Sequence, residues 1–208
     1  IEYTDITAEE FIAKMKTFSQ APLPFQGQKR KFLKDFKSAL DQFSSNATYV
    51  DLFGGSGFLS HTVKQHLPDA KVIYNDFDGY SYRLDNVENT NAILHDIREI
   101  TKDLPDTVKI TDEYKKRIID RINQEPGFVD CITISSSLLF SMNYVTEKEA
   151  FTKQTFYNNV KQTDYVVDGY LDGVDRVKMD YRDLFAEYRD KKNVVFLIDP
   201  PYLSTDVS

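Results

Sequence analysis

The sequence is poor in cysteine and in long hydrophobic runs, and each absence excludes a class of protein. Its single cysteine, Cys131, permits no internal disulfide and no zinc site built from cysteines, which fits a reducing compartment. No stretch approaches the roughly 20 apolar residues of a membrane span, and the acidic N-terminal segment does not have the pattern of a signal peptide. We therefore expect a cytoplasmic protein without a membrane segment.

Positive charge is also scarce, with 26 basic against 33 acidic residues and a net charge of −7. A polybasic protein is excluded, and any contact with nucleic acid has to come from a local basic patch. The composition that remains, 41% hydrophobic and 13% aromatic in 208 residues, is that of a globular protein. This length predicts one large domain, or one ordinary domain that carries an insert.

The hydrophobic pattern alternates between strand and helix over the first part of the chain and again near its end. Between these parts, over residues 85–173, helical patterns predominate and predict a helical insert. The predicted elements are helices ending near Ser19 and spanning 32–43, a strand at 48–53, a helix at 58–67, a strand at 71–75, helices near 93–104 and 112–123, and a strand at 193–198. This order opens a doubly wound α/β sheet.

A glycine-rich turn, Asp-Leu-Phe-Gly-Gly-Ser-Gly from Asp51 to Gly57, follows the first predicted strand. Glycines allow the backbone to approach a ligand where a strand leads into a helix. Asp76 ends the next strand, where a carboxylate can accept hydrogen bonds from both hydroxyls of a ribose. The turn lacks the dinucleotide and phosphate-loop patterns, so we predict another nucleoside-containing cofactor. A plain tight turn is the alternative.

The tetrapeptide Asp199-Pro200-Pro201-Tyr202 directly follows the last predicted strand. At ordinary residue frequencies it is expected by chance in about one chain of this length in a thousand. Asp199 and the Pro200 carbonyl can accept hydrogen bonds from an exocyclic amino group, and Tyr202 offers a ring on which an unstacked base can lie. The alternative is the exit from an edge strand with a surface tyrosine.

In their order, these motifs resemble those of the S-adenosylmethionine-dependent DNA N6-adenine methyltransferases, and among them the Dam-like group. Residues 24–30 resemble the N-terminal motif of that group, with Gln28 replacing a second glycine, and residues 179–182 resemble its element for the cofactor adenine. The resemblance implies a Rossmann-like class I methyltransferase sheet in residues 1–84 and 174–208, and a helical target-recognition insert at 85–173. It also implies S-adenosyl-L-methionine as cofactor, double-stranded DNA with a flipped adenine as substrate, and a cognate restriction endonuclease as partner.

The resemblance assigns catalysis to the tetrapeptide residues Asp199, Pro200, Pro201 and Tyr202. It assigns cofactor contact to Phe25, Lys29, Asp51, Phe53, Gly54, Gly55, Gly57, Asp76, Asp180 and Tyr181. For DNA contact we select four basic residues of the insert: Lys115, Lys116, Arg117 and Arg121. The alternative is that these residues only form a solvated helix surface. No metal site is predicted, and the histidines, which show no ligand pattern, are expected on helix surfaces: His61, His66 and His95.

Two other functions remain open at this point. A similar Pro-Pro-Tyr element holds a glutamine side chain in related methyltransferases, or an adenine of RNA, although Asp199 favours a nucleic acid over glutamine. The second alternative is that the chain is a catalytically inactive module, which binds S-adenosylmethionine and DNA. Because the family's sheet continues past the tetrapeptide, we expect a sheet that is incomplete at its C-terminus, with strand 194–197 placed beside the cofactor strand and unpaired on its other side.

Overall fold

The structure is a computed structural model that describes residues 18–26, 32–140 and 143–200. The described residues form two compact units. We call residues 18–21, 32–81 and 168–200 the sheet unit, and residues 22–26, 82–140 and 143–167 the helical unit. None of the helices in the described ranges is long and apolar enough to cross a membrane.

The sheet unit is built on four parallel strands: β1 Thr48–Asp51, β2 Lys71–Asn75, β3 Asp175–Val177 and β4 Val194–Leu197. They lie in the order β3-β2-β1-β4, and Asp51 at the end of β1 pairs with Tyr74 of β2 and Leu197 of β4. The predicted α/β class and the position of β4 beside β1 are confirmed. Parallel strands place all their carboxyl ends at one edge of the sheet, where ligand sites form in open α/β folds.

Helices cover both faces of this sheet, which explains why its strands are apolar on successive residues. Tyr49 and Val72 pack on one face with helices α1 (Leu33–Leu40) and α2 (Phe58–His66). Val50 and Ile73 pack on the other face with Leu184 of helix α7 (Tyr181–Tyr188). Helix α3 (Tyr80–Asp85) begins in the sheet unit and ends in the helical unit.

The helical unit contains α4 (Val87–Thr101), α5 (Asp112–Gln124), α6 (Cys131–Ser136) and a 3-10 helix at Lys148–Lys153 around one apolar core. Its buried polar centre is an ion pair in which Nε of Arg83 lies 3.0 Å from both carboxylate oxygens of Asp130. Nη2 of Arg83 donates to the Pro24 carbonyl at 2.9 Å and to the Thr133 hydroxyl at 3.0 Å. This cluster fixes the segment 22–26 within the unit.

The sequence expectation for His61 is wrong. The side chain is buried, its Nδ1 contacts the Tyr170 carbonyl, and its ring stacks on Tyr170 with centroids 4.6 Å apart. Burial lowers the pKa of His61 to about 4, while the hydrogen bond to Tyr170 opposes this shift. Tyr170, which covers His61, lies 109 residues later in the chain. The local pattern of α2 therefore does not reveal that His61 is buried. His95 is exposed, as predicted, and His66 pairs with Asp41 at 2.6 Å.

Candidate active site

The candidate site lies at the carboxyl edge of the sheet unit, between β1 and β4. The chain proceeds from β1 to β2 and β3 on one side and returns to β4 on the other, so the strand order reverses at β1. In open α/β sheets this switch point is where ligands bind. Asp51 ends β1 and pairs in register with Leu197 of β4. Asp199 lies two residues beyond Leu197.

Asp51 is a buried carboxylate with an incomplete set of partners. The Ser60 hydroxyl donates to its Oδ2 at 2.8 Å, whereas Oδ1 has no well-formed hydrogen bond among the described residues. Burial raises the pKa of Asp51 from 3.8 to about 7. The hydrogen bond from the Ser60 side chain lowers this pKa, and the negative charge of Asp199 raises it further. Hydrogen bonds from the backbone N–H groups of Phe53 and Ser60 lower it by smaller amounts. A cation beside this carboxylate would therefore be strongly favoured.

The glycine turn is packed tightly on β2. A Cβ atom at Gly54 would lie 2.2 Å from Cε2 of Tyr74, so only glycine fits there. Gly57 has φ of +72° and donates its N–H to the Gly54 carbonyl at 2.7 Å, which closes the turn at the start of α2. The crowding at Gly54 comes from the protein's own Tyr74.

Asp76 accepts hydrogen bonds from several groups of its own chain. Its Oδ1 accepts from the Tyr80 N–H at 2.7 Å and lies 2.9 Å from the Tyr74 hydroxyl, whose single hydrogen is shared with the Gly55 carbonyl 2.7 Å away. Its Oδ2 accepts from the N–H of Ser81 at 3.0 Å and from the Ser81 hydroxyl. A carboxylate offers about four acceptor positions, so this arrangement uses Asp76 to start α3. Contact between Asp76 and a ribose stays a prediction and requires one of these bonds to open.

Asn75 joins the glycine turn to the segment before α7, a role that the sequence reading missed. Its Nδ2 donates to the Leu52 carbonyl at 3.1 Å and the Met179 carbonyl at 2.9 Å, and its Oδ1 accepts from the Met179 N–H at 3.1 Å. The ring of Tyr181 then packs on Phe53 with centroids 4.8 Å apart. An amide at the buried end of an apolar strand is the sequence feature that could have indicated this bridge.

The sheet unit thus brings together most of the predicted cofactor residues. Asp51, Phe53 and the glycines share one edge with Asp180, which caps α7 by accepting from the Arg182 N–H at 2.8 Å. Phe25 lies in the helical unit, and Lys29 lies outside the described residues.

The structure describes only the first half of the tetrapeptide, which is predicted to be catalytic. Asp199 is half-buried and Pro200 is exposed, at the carboxyl edge beyond β4. Pro201 and Tyr202 lie outside the described residues, so their placement stays a prediction.

The four basic residues selected on α5 differ in their surroundings. Lys115 donates to the carbonyls of Thr152 and Gln154 at 2.8 and 2.7 Å. Arg121 pairs with Asp96 at 2.6 Å and with Glu125 at 3.3 Å. Lys116 and Arg117 are exposed, and the Arg117 guanidinium lies 5.5 Å from the centre of the Tyr114 ring. Within the described ranges, no group of histidine, cysteine and acidic residues is suited to hold a metal ion.

A family model described as D12 class N6 adenine-specific DNA methyltransferase matches residues 25–208. A protein of Haemophilus influenzae, provisionally named a methyltransferase, is 41% identical over 217 residues, which cover 99% of this chain and 71% of that protein. No solved structure gives a significant match.

Proposed function

Because this chain belongs to the D12 class of N6 adenine-specific DNA methyltransferases, we propose that its sheet unit binds S-adenosyl-L-methionine and that Asp199 holds the target adenine. The family and the adenine-N6 methylation of DNA predicted from the motifs are confirmed by the family match. Methyltransferases of this family generally use S-adenosylmethionine. The assignment of that cofactor to named residues is our proposal.

The observation that carries the proposal is the meeting of two motifs at the switch point of the sheet. The glycine turn after β1 and the tetrapeptide after β4 are far apart in sequence, yet β1 and β4 are neighbours and pair in register. The charge of Asp199 contributes to the raised pKa of Asp51, which indicates that these carboxylates are close. A cofactor on the turn and a base at Asp199 would then lie next to each other, as methyl transfer requires.

The residues present fit the cofactor. S-adenosylmethionine supplies an electrophilic methyl group on a cationic sulfonium, and it also carries an ammonium group. The buried carboxylate of Asp51, which lacks a partner at Oδ1 among the described residues, suits a cationic ligand. The packed rings of Phe53 and Tyr181 provide an apolar surface against which the adenine of the cofactor can lie.

Asp199 and Pro200 are proposed to act on the N6 amino group of the flipped adenine. The Asp199 carboxylate and the Pro200 carbonyl accept hydrogen bonds from its two N–H groups, which directs the nitrogen lone pair toward the methyl group. As the new N–C bond forms and the C–S bond breaks, positive charge grows on nitrogen and Asp199 stabilises it. The methylated ammonium is acidic and releases its extra proton, so no strong base has to act before the attack. Stacking of the adenine on Tyr202 belongs to this proposal.

DNA contact by the helical unit is proposed to involve Lys116 and Arg117 in preference to the other basic residues of α5. These side chains are exposed, whereas Lys115 and Arg121 already bind carbonyl and carboxylate groups of their own unit. Target recognition by this unit, and a cognate restriction endonuclease as partner, are also parts of the proposal.

The decisive experiment is Asp199→Ala in the full-length protein. We expect methyl transfer to fall by at least about a hundredfold, because one preorganised charge-stabilising contact has an effect of this size. The affinity for S-adenosylmethionine should stay within about twofold, since the turn and the Phe53–Tyr181 pair are unchanged. Incorporation of tritiated methyl groups into DNA and titration calorimetry measure the two quantities.

Asp190→Ala serves as the matched control, because this carboxylate lies just before β4 and its side chain is 88% exposed. It should leave both quantities unchanged. Transfer at the normal rate in Asp199→Ala would remove Asp199 from the mechanism, and the absence of cofactor binding in the folded wild-type protein would refute the site.

A further inference from the structure

Two buried tyrosines outside the predicted motif residues bind successive carbonyls of the glycine turn. The hydroxyl of Tyr74 donates to the Gly55 carbonyl at 2.7 Å, and that of Tyr170 donates to the Ser56 carbonyl at 3.1 Å. Both rings are almost fully buried. Tyr74 lies on β2, and Tyr170 is 114 residues from Ser56 in the chain, so the contacts come from two separate elements.

These bonds fix the direction of the backbone N–H groups as well. In a trans peptide the C=O of one residue and the N–H of the next point in opposite directions. When Tyr74 holds the Gly55 carbonyl, the N–H of Ser56 is therefore turned away from the tyrosine. Gly55 and Gly57 have φ of +50° and +72° and no side chains, so groups outside the turn add to its own Gly57–Gly54 hydrogen bond in holding its peptide planes.

Both tyrosines are themselves held in place. Tyr74 packs against Gly54, and its hydroxyl also lies 2.9 Å from Oδ1 of Asp76, so its single hydrogen is shared between the Gly55 carbonyl and that carboxylate. The ring of Tyr170 stacks on His61 and makes an edge contact with Phe18, with centroids 5.1 Å apart. Burial raises the pKa of both hydroxyls, so they remain protonated donors throughout the neutral range. Such anchored donors are suited to hold a ligand-binding loop in one conformation before the ligand arrives.

We propose that Tyr74 and Tyr170 are positioning residues, which hold the glycine turn in the conformation that binds the cofactor. The inference rests on the proposed function, in which this turn contacts S-adenosylmethionine. Tyr74 also links the turn to Asp76, so it connects both cofactor motifs found in the sequence.

The test uses Tyr74→Phe and Tyr170→Phe, which remove one hydroxyl each and keep the ring. Tyr49→Phe is the matched control, because Tyr49 is equally buried, lies on β1 and donates to the Ser44 carbonyl at 3.3 Å, near the opposite end of the strand. We expect the dissociation constant for S-adenosylmethionine to rise about three- to tenfold in the first two variants, the effect of one lost hydrogen bond. The control should bind as the wild type does.

Steady-state kinetics separates positioning from general destabilisation. The KM for S-adenosylmethionine should rise in Tyr74→Phe and Tyr170→Phe, while the KM for DNA stays constant. In the ligand-free protein, hydrogen exchange at the Gly57 N–H should be faster in both variants and unchanged in Tyr49→Phe.

Wild-type affinity in both turn variants, or an equal loss in the control, would overturn the inference and leave the proposed function intact. Failure of the wild-type protein to bind the cofactor would overturn both.

Discussion

A buried aspartate of the helical unit, Asp130, and one of the sheet unit, Asp51, have opposite surroundings. In the helical unit, Asp130 receives Arg83 on both oxygens and also accepts from the N–H and hydroxyl of Thr133. In the sheet unit, Asp51 accepts a hydrogen bond from the Ser60 hydroxyl, and the charge of a second carboxylate, Asp199, helps to raise its pKa. The first carboxylate is neutralised within the fold and stabilises it. The second retains a demand for positive charge, which is typical of a site that binds a ligand.

The largest change in stability is expected when the Arg83–Asp130 ion pair of the helical unit is broken. Arg83→Ala leaves Asp130 buried without its cation, so we expect the free energy of unfolding to fall by about 3 to 5 kcal/mol. Chemical denaturation followed by circular dichroism measures this loss. A loss below about 1 kcal/mol would mean that the ion pair does not organise the helical unit.

The buried Asp51 is expected to make the free energy of unfolding of the protein decrease as the pH rises. Its pKa is about 7 in the folded protein against 3.8 ordinarily, so between these values the folded state holds a proton that the unfolded chain has lost. The stabilisation is therefore complete below about pH 4 and lost as the pH rises through about 7, with a slope of up to about 1.4 kcal/mol per pH unit. Asp51→Asn should remove this slope.

Denaturation of the wild type and of Asp51→Asn between pH 4 and 8 measures the difference. Equal slopes in the two proteins would show that Asp51 ionises normally. The variant also has to lose affinity for S-adenosylmethionine, since the carboxylate that favours the cationic ligand is gone.

A smaller effect distinguishes the basic residues of α5. The double substitution Lys116→Ala and Arg117→Ala should weaken DNA binding and reduce the dependence of log affinity on log salt concentration by about two, without loss of stability. Lys115→Ala should instead cost about 1 kcal/mol of stability, because its hydrogen bonds to the carbonyls of Thr152 and Gln154 are lost, and leave the salt dependence unchanged. Fluorescence anisotropy at several salt concentrations makes the comparison, and equal salt slopes in all proteins would place the DNA contact elsewhere.

The sequence predicts those parts of the site whose residues are adjacent in the chain. The glycine turn and the tetrapeptide are short segments with local patterns, and their positions after strands follow from the hydrophobic alternation. Strand β3 was not predicted, because it has only three residues and two of them are exposed and charged. The bridge from Asn75 to Met179 and the contact of Tyr170 with the glycine turn were not predicted, because these partners lie 104 and 114 residues away and only the folded chain brings them together.

The crowding at Gly54 has a consequence for how this family can change over time. Every replacement of this glycine by another amino acid introduces a side chain, and even the methyl group of alanine would collide with the Tyr74 ring. A smaller residue at position 74 would remove the collision with the ring, but not the 2.8 Å approach to the Asn75 carbonyl oxygen, and it would also remove the hydroxyl that binds Gly55. Neither position can therefore vary alone without loss, and relatives that lack this glycine should also lack the tyrosine.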